Sequence, residues 1–384
     1  MTWLCVASGM LLIIVVLVDV WLTILHPDAE GLLAGSVRRL VWRASSLASG
    51  RGASPRRTPL VWAGPILVTG TFLTWIVPLV FGVALLVWPY LDGYHRVIGY
   101  GPAGFDDALY FAAGTLTVLG YGDITPDSPA QKLLAVGVGA LGFTLFAALA
   151  TYLIELITGL AVRNGFALAV HDQVRDTDGA GLIARSLAEE GVDAARQRCA
   201  AWAESLRALD DTVRRYPLVA LTYRPRRPDY DIEPALEHVT EAAVAALLAA
   251  RRAEWRGLGP RAEELAYALL RTQDTIVRRY LSSRLSRRGA DAGGCGAGPA
   301  TASDPETVRS LQRLHGRLAA QLGDRFDQPL SDNDRLAVEV LAYSTVFLDG
   351  LRGWSAPGVN PDLGGSVPPR GGPEPPAAHH DRCD

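Results

Sequence analysis

The stretch Thr115 to Asp123, TLTVLGYGD, lies between two long apolar runs and holds Gly-Tyr-Gly followed at once by an acid. Gly120 and Gly122 can take backbone angles closed to other residues, so consecutive carbonyls there can turn toward one axis. A ring of such carbonyls can replace the water shell of a dehydrated ion. One chain supplies only one strand of that ring. The stretch therefore implies a membrane around it and further copies of the chain beside it.

The rest of the chain is read against that requirement. Its first apolar run, Trp3 to Leu25, is long enough to cross a bilayer at about 1.5 Å per residue. No basic residue precedes it and no small-x-small site follows closely, so a span is favoured over a cleaved signal. Asp19 interrupts the run, and an acid within a span is a functional candidate. It either lies near the inner interface or bonds a hydroxyl on the next span, where Thr69, Thr71 and Thr74 are available. A second span lies within Leu60 to Trp88 and a third runs from about Lys132 to Leu160.

Between the first two spans, from His26 to Pro59, the chain turns polar and carries six arginines, Arg38, Arg39, Arg43, Arg51, Arg56 and Arg57. Leu33, Val37, Leu40, Val41, Ala44 and Leu47 recur there at helical spacing. This reads as a basic helix on the membrane surface, or as a plain charged linker. The segment Pro89 to Gln131 has Arg96 as its only basic residue. The charge count makes the arginine-rich loop cytoplasmic and the glycine segment external. The N-terminus is then outside, and everything after Leu160 inside. Phe105 to Leu116 reads as a helix too short to span, with Asp106 as N-cap. Its C-terminal end would point toward the membrane centre, where partial negative charge favours a cation. A short helix that enters and returns is tolerated at that depth only if protein or water surrounds it.

After Arg163 the composition turns to Ala, Arg, Glu and Leu. Trp202, Leu206, Leu209 and Val213 form one apolar stripe. Leu265, Leu269, Ile276 and Tyr280 form a second, and Leu336, Val340, Tyr343, Phe347 and Leu351 a third. These are amphipathic helices with core-facing stripes. Prolines between Tyr216 and Tyr230 break the first block, residues 289–303 read as a Gly/Ala/Ser linker, and Ser331 with Asp334 resembles a capping box. The expected organisation is a first transmembrane helix at 1–25, a basic linker at 26–59 and a pore domain at 60–160. A helical cytoplasmic domain follows at 161–352, and a disordered Pro/Gly-rich tail at 353–384. The fold class is an all-α membrane protein.

Cys5, Cys199, Cys295 and Cys383 are scattered, which argues against a zinc site or a disulfide framework. No Gly-x-Gly-x-x-Gly follows a strand pattern, and no phosphate-binding loop or nucleophile triad is present, so an enzyme is not expected. No span carries arginines at every third position, which argues against a voltage sensor.

With span, short helix, glycine turn and span in that order, Leu60 to Leu160 resembles the pore domain of the potassium-channel family. The family filter is typically Thr-Val-Gly-Tyr-Gly followed by Asp, and Thr115, Thr117, Gly120, Tyr121, Gly122 and Asp123 fall on its pattern without a gap. Pro126 fits the usual exit from the filter. Two departures matter. Val118 stands where the family has the threonine whose hydroxyl serves the innermost ion site. The alternative, Thr117 as that threonine, needs a residue inserted within the filter, so the substitution is preferred. Leu119 replaces the family valine and keeps the same carbonyl. Gly114 stands where several members carry an acid that pairs with the one after the filter. Tyr110 falls on an aromatic donor position and is expected to serve Asp123 instead.

The resemblance implies a potassium-selective pore built by a homotetramer within membrane lipid, with no nucleic-acid partner and no cofactor beyond permeant K+. Thr117, Val118, Leu119, Gly120, Tyr121 and Gly122 are the expected ion-binding stretch, and Asp123, Tyr110 and Thr115 its support. Gly142 falls on the inner-helix hinge and Phe146 on an inner-pore aromatic. The implied location is the inner (plasma) membrane. The alternative is a poorly conducting or weakly selective pore-domain protein that acts as a membrane-anchored regulatory assembly, for which Val118 is the motive.

Overall fold

The computed structural model describes residues 2–24, 31–48, 58–97, 104–216, 225, 227–278, 305–326, 330 and 334–355. The expected 289–303 linker, Ser331 of the capping box, Tyr280, most of the proline-containing break and nearly all of the tail lie outside them.

Among the described residues, three helices are long and apolar enough to cross a membrane: α1 (Thr2–Ile24), α3 (Thr58–Val87) and α5 (Pro129–Gln173). The basic segment holds α2 (Leu32–Ala48), which packs along α3, so that a Cβ on Gly70 would lie 3.1 Å from Val37 Cγ1. Gly9 of α1 and Gly82 of α3 let those two backbones meet, for a Cβ on Gly9 would stand 2.6 Å from the Gly82 carbonyl oxygen. Small residues at such crossings replace the hydrophobic drive that lipid removes. The short helix α4 (Phe105–Leu116) lies between α3 and α5 and packs on both. A two-stranded antiparallel pair, β1 (Tyr94–Arg96) and β2 (Ile124–Pro126), closes the segment around it. That pair was not anticipated, and it leaves the all-α class intact.

Asp19 is the acid that the α1 sequence had to justify. Its side chain is 3% exposed. Trp75 Nε1 donates to Oδ2 at 2.8 Å, and the first amides of α2, Leu33 and Ala34, donate at 2.8 and 3.3 Å. The hydroxyl partners expected on α3 are not used: Thr71 and Thr74 donate to the carbonyls of Leu67 and Gly70 in their own helix. The amides win because a helix N-terminus offers unpaired N–H groups and positive partial charge together. An acid within a span costs up to about 2.5–3.5 kcal/mol on insertion scales, while each hydrogen bond to a charged group returns about 1.5–3. Asp19 thus joins α1, α2 and α3.

Helix α5 starts at a capping box, with Ser128 Oγ accepting from Gln131 N at 3.3 Å and Gln131 Oε1 from Ser128 N at 3.1 Å. It then runs unbroken through the point near residue 160 where the composition changes. Val138, Gly142, Leu145, Leu149, Tyr152, Leu156, Gly159, Arg163, Phe166 and Val170 are buried, alternating four and three apart along one seam, with Ala167 buried beside them. The first part of that seam meets α3 and α4. The last part, with Phe166, Ala167 and Val170, enters the core of the helical domain that follows.

That domain contains α6 (Gly179–Arg185), α7 (Val192–Arg215), α8 (Ile232–Ala249), α9 (Gly259–Ile276), α10 (Pro305–Leu322) and α11 (Arg335–Ser355). Helix α8 is alanine-rich and buried on nearly every side from Ala242 to Ala249, which marks it as the central helix. The stripes read from sequence lie in this core, with Trp202, Leu206, Leu265, Leu269, Val340 and Phe347 all 2% exposed or less. Asp334, just before α11, accepts from Arg251 Nη1 at 2.7 Å.

Candidate functional site

The candidate site is the turn that follows α4. Its N-cap is Gly104 rather than the expected Asp106. The amide of Gly104 donates to Asp107 Oδ2 at 3.2 Å, and Arg96 Nη1 of β1 reaches the same oxygen at 3.2 Å. Asp107 thus ties β1 to the first turn of α4, and with Asp106 it suits the positive end of the helix. The far end, at Leu116, is pressed against α5.

Beyond Leu116 the amides turn back toward the helix they have just left. Thr117 N donates to Ala113 O at 3.0 Å and Val118 N to Thr115 O at 3.1 Å. Leu119 N and Gly120 N both donate to Gly114 O, at 2.9 and 3.5 Å. The Thr117 hydroxyl is also directed backward, to Ala113 O at 2.7 Å. Among the described residues, no backbone hydrogen bond ends on a carbonyl of 118–122.

The backbone angles give the reason. Positive φ recurs at every second residue: 59° at Val118, 55° at Gly120 and 81° at Gly122. Alternation of left- and right-handed conformations puts successive N–H groups on one side of the strand and successive carbonyls on the other. For the glycines this costs little. Val118 is β-branched, and it is the non-glycine residue with positive φ among those described. Such a conformation stores about 1–3 kcal/mol. The backward amide bonds of Val118 and its neighbours offset it, at about 0.5–1.5 kcal/mol each.

The support residues sit as follows. Tyr110 stacks on Tyr121 with ring centroids 6.1 Å apart, and its hydroxyl faces the Asp123 carboxylate. Asp123 Oδ1 also accepts from Ile124 N at 3.1 Å, and its carbonyl from Val97 N at 2.9 Å. Thr115 contributes a carbonyl to the backward bonds. Gly114 has open space where a Cβ would stand, so a side chain there meets no obstacle. Gly142 is packed against Leu116, and α5 is continuous through it. Phe146 is 74% exposed, and with Phe143, Thr117 and Val118 it borders a cavity of about 230 Å³ below the turn. Val118, Leu119 and Tyr121 are likewise 59–67% exposed in the single chain.

One contact beneath this cavity was not foreseen. Tyr216, at the end of α7, packs its ring edge-on to Tyr152 at 6.0 Å and donates to Glu155 Oε2 at 3.4 Å. It also joins Val68 of α3 and Leu156 and Leu160 of α5. Glu155 thereby holds a hydroxyl of the helical domain. Aromatic residues before a proline carry no signal for such a contact.

Residues 73–159, which include the turn, match the model of a family described as Ion channel. A Bacillus subtilis protein described as uncharacterized membrane protein YdjJ is 26% identical over 169 residues, 43% of this chain and 48% of that one. Two-pore potassium channel 1 of Arabidopsis thaliana is 40% identical over 72 residues, 18% of this chain and 20% of its own. Two pore potassium channel b of Oryza sativa subsp. japonica is 45% identical over 74 residues, with the same two shares. The chain therefore spans about half the length of the first of these relatives and a fifth of the plant channels. No solved structure matches it. From its spans and its match, this chain is a membrane protein in which residues 73–159 are similar to an ion-channel family and a shorter stretch is similar to plant two-pore potassium channels.

Proposed function

We propose that the protein is a channel that passes K+ passively through a pore formed by four copies of the chain. The observation that carries this reading is the alternation of positive φ at Val118, Gly120 and Gly122, with the amides turned back to α4. It leaves a row of carbonyls without protein donors, which is the chemistry that replaces a hydration shell. The alternation also supports the gapless register, in which Val118 takes the innermost filter position and lends its carbonyl alone. Thr117 stays behind the filter, because its hydroxyl is spent on Ala113 O. Exposed Leu119, Tyr121, Phe143 and Phe146 are the surfaces that neighbouring copies and the central cavity would occupy. No cofactor is needed.

In this reading the turn faces the outside of the plasma membrane and the helical domain lies in the cytoplasm. The arginines before α3 stand against the single Arg96 before α4, which is the bias expected of cytoplasmic and external loops. Lipid covers the remaining faces of α1, α3 and α5.

Val118 favours a second reading, a pore-domain assembly that conducts poorly or selects weakly. It removes a hydroxyl from the innermost site and holds strain in its place. Potassium uptake separates the two. Cells lacking their own potassium transporters should grow on low potassium when they express this chain. Absence of rescue, with the protein present in the membrane, would favour the second reading.

A further inference from the structure

The helical domain contains an open cavity of about 600 Å³ between α8, α10 and α11. That volume is in the range of sites for small organic ligands. Its floor is apolar, formed by Leu314, Leu341 and Leu348, and its walls carry three arginines, Arg313, Arg317 and Arg352. The acids in the same walls are already engaged. Glu237 accepts from Arg352 at 2.8 Å and Glu241 from Arg317 at 3.1 Å, while Asp349 lies 3.9 Å from Arg352.

Arg313 differs from the other two. Among the described residues its guanidinium makes one bond, to Ser310 Oγ at 2.8 Å, and pairs with no carboxylate. A guanidinium has five N–H donors in a fixed planar fork that matches phosphate oxygens. Arg313 and Arg317 stand one turn apart on α10, so both project over the same floor. The lining therefore combines unspent cationic donors with an apolar base that an inorganic ion would leave empty.

We propose that this cavity binds a small organic phosphate of about mononucleotide size, with its phosphate on Arg313 and Arg317 and its less polar part on the leucine floor. Arg317 gives the site a second consequence. It also pairs with Asp178, the N-cap of α6, and Glu241 accepts from Gly179 N at 3.2 Å in the same helix turn. Gly179 is seated against α8, where a Cβ would fall 1.8 Å from the His238 carbonyl oxygen. A phosphate on Arg317 competes with both carboxylates that fasten α6, and α6 starts six residues after the last residue of α5. Occupancy of the cavity is thereby linked to the helix that continues from the pore domain.

Isothermal titration of the full-length protein in lipid nanodiscs tests the proposal with AMP, ATP, adenosine and citrate as probes. It reads binding without any current, so its outcome is independent of whether the pore conducts. Saturable binding of AMP or ATP, none of adenosine, and weakening by about tenfold or more in Arg313→Gln is the expected result. Arg313→Lys, which keeps the charge and loses the fork, should fall between. Arg313 is exposed on the surface of α10, so both variants should fold. Failure of both nucleotides to bind, equal binding by Arg313→Gln, or citrate bound as tightly as the nucleotides would overturn the proposal.

Discussion

Gly142 of α5 faces Leu116 so closely that a Cβ added to it would stand 2.0 Å from the Leu116 carbonyl oxygen. The last turn of α4, which receives the backward amide bonds, thus rests directly on the α5 backbone. No side chain fits without moving one of the two. Gly142→Ala should destabilise the protein by about 2–4 kcal/mol and abolish ion flux. Gly137, five residues earlier with open space around it, is the control: Gly137→Ala should stay within about 0.5 kcal/mol. Thermal melts of the two variants, read beside flux from liposomes, check this.

Asp19 should behave as a structural acid. Asp19→Leu strands the Trp75 indole and the Leu33 and Ala34 amides, at a cost of about 3 kcal/mol or more. Asp19→Asn keeps one acceptor oxygen and should lose about half of that. Thr71→Val removes a hydroxyl bonded within its own helix and should be close to neutral. Melting temperatures in one detergent rank the three. Equal loss in Asp19→Leu and Thr71→Val would contradict the role given to the carboxylate.

Tyr110→Phe keeps the ring stacked on Tyr121 and removes the hydroxyl that faces Asp123. A hydroxyl–carboxylate contact of this kind is worth about 0.5–1.5 kcal/mol, or roughly a two- to tenfold change in an equilibrium. The outer end of the carbonyl row should be held less firmly, and current should decay faster when external potassium is low. Restoring an acid by Gly114→Glu, into space that is open, should slow the decay again. Patch-clamp decay rates give the comparison.

A pH dependence is expected where α6, α8 and α10 meet. The Glu241 hydrogen bond raises His238 above the ordinary histidine range against the opposing effect of burial, with Glu237 and Asp178 adding to the rise. Burial pushes Glu241 up, but hydrogen bonds from His238 and Arg317 outweigh it and hold the carboxyl below its usual range. The histidine contribution is complete below about pH 6.5 and is lost as pH rises through the raised value. The glutamate contribution is present above about pH 4.5 and is lost as pH falls through the lowered value. Melting temperature should therefore decline from mildly acidic to alkaline pH, and His238→Gln should flatten that decline.

Much of this was legible in the chain. The bounds of α4 were, because two acids mark its start and its apolar positions end where the glycine turn begins. The stripes of α7, α9 and α11 were, because a period of 3.6 has one use in a buried core. The length of α5 was not: a change of composition at Arg163 marks a change of surroundings, and a helix need not end where its solvent changes. The partners of Asp19 were hidden for another reason. Two are backbone amides, which every residue owns, although the Trp75 indole was a buried donor that needed an acceptor. Val118 was read as a missing hydroxyl. Its positive φ runs against the preference of a β-branched residue, so only the fold imposes it.

Val118→Thr isolates the hydroxyl, because threonine is equally branched and carries the same strain. Block by barium at the inner site should tighten in this variant if Val118 occupies the innermost position. An unchanged block curve would count against the gapless register.

The central claim is a potassium pore, and reconstituted single-channel recording under bi-ionic potassium and sodium tests it most directly. A reversal potential that follows the potassium gradient and ignores sodium is the predicted result. Channels that reverse near zero with potassium on one side and equal sodium on the other, or bilayers that stay silent with the protein inserted, would contradict it.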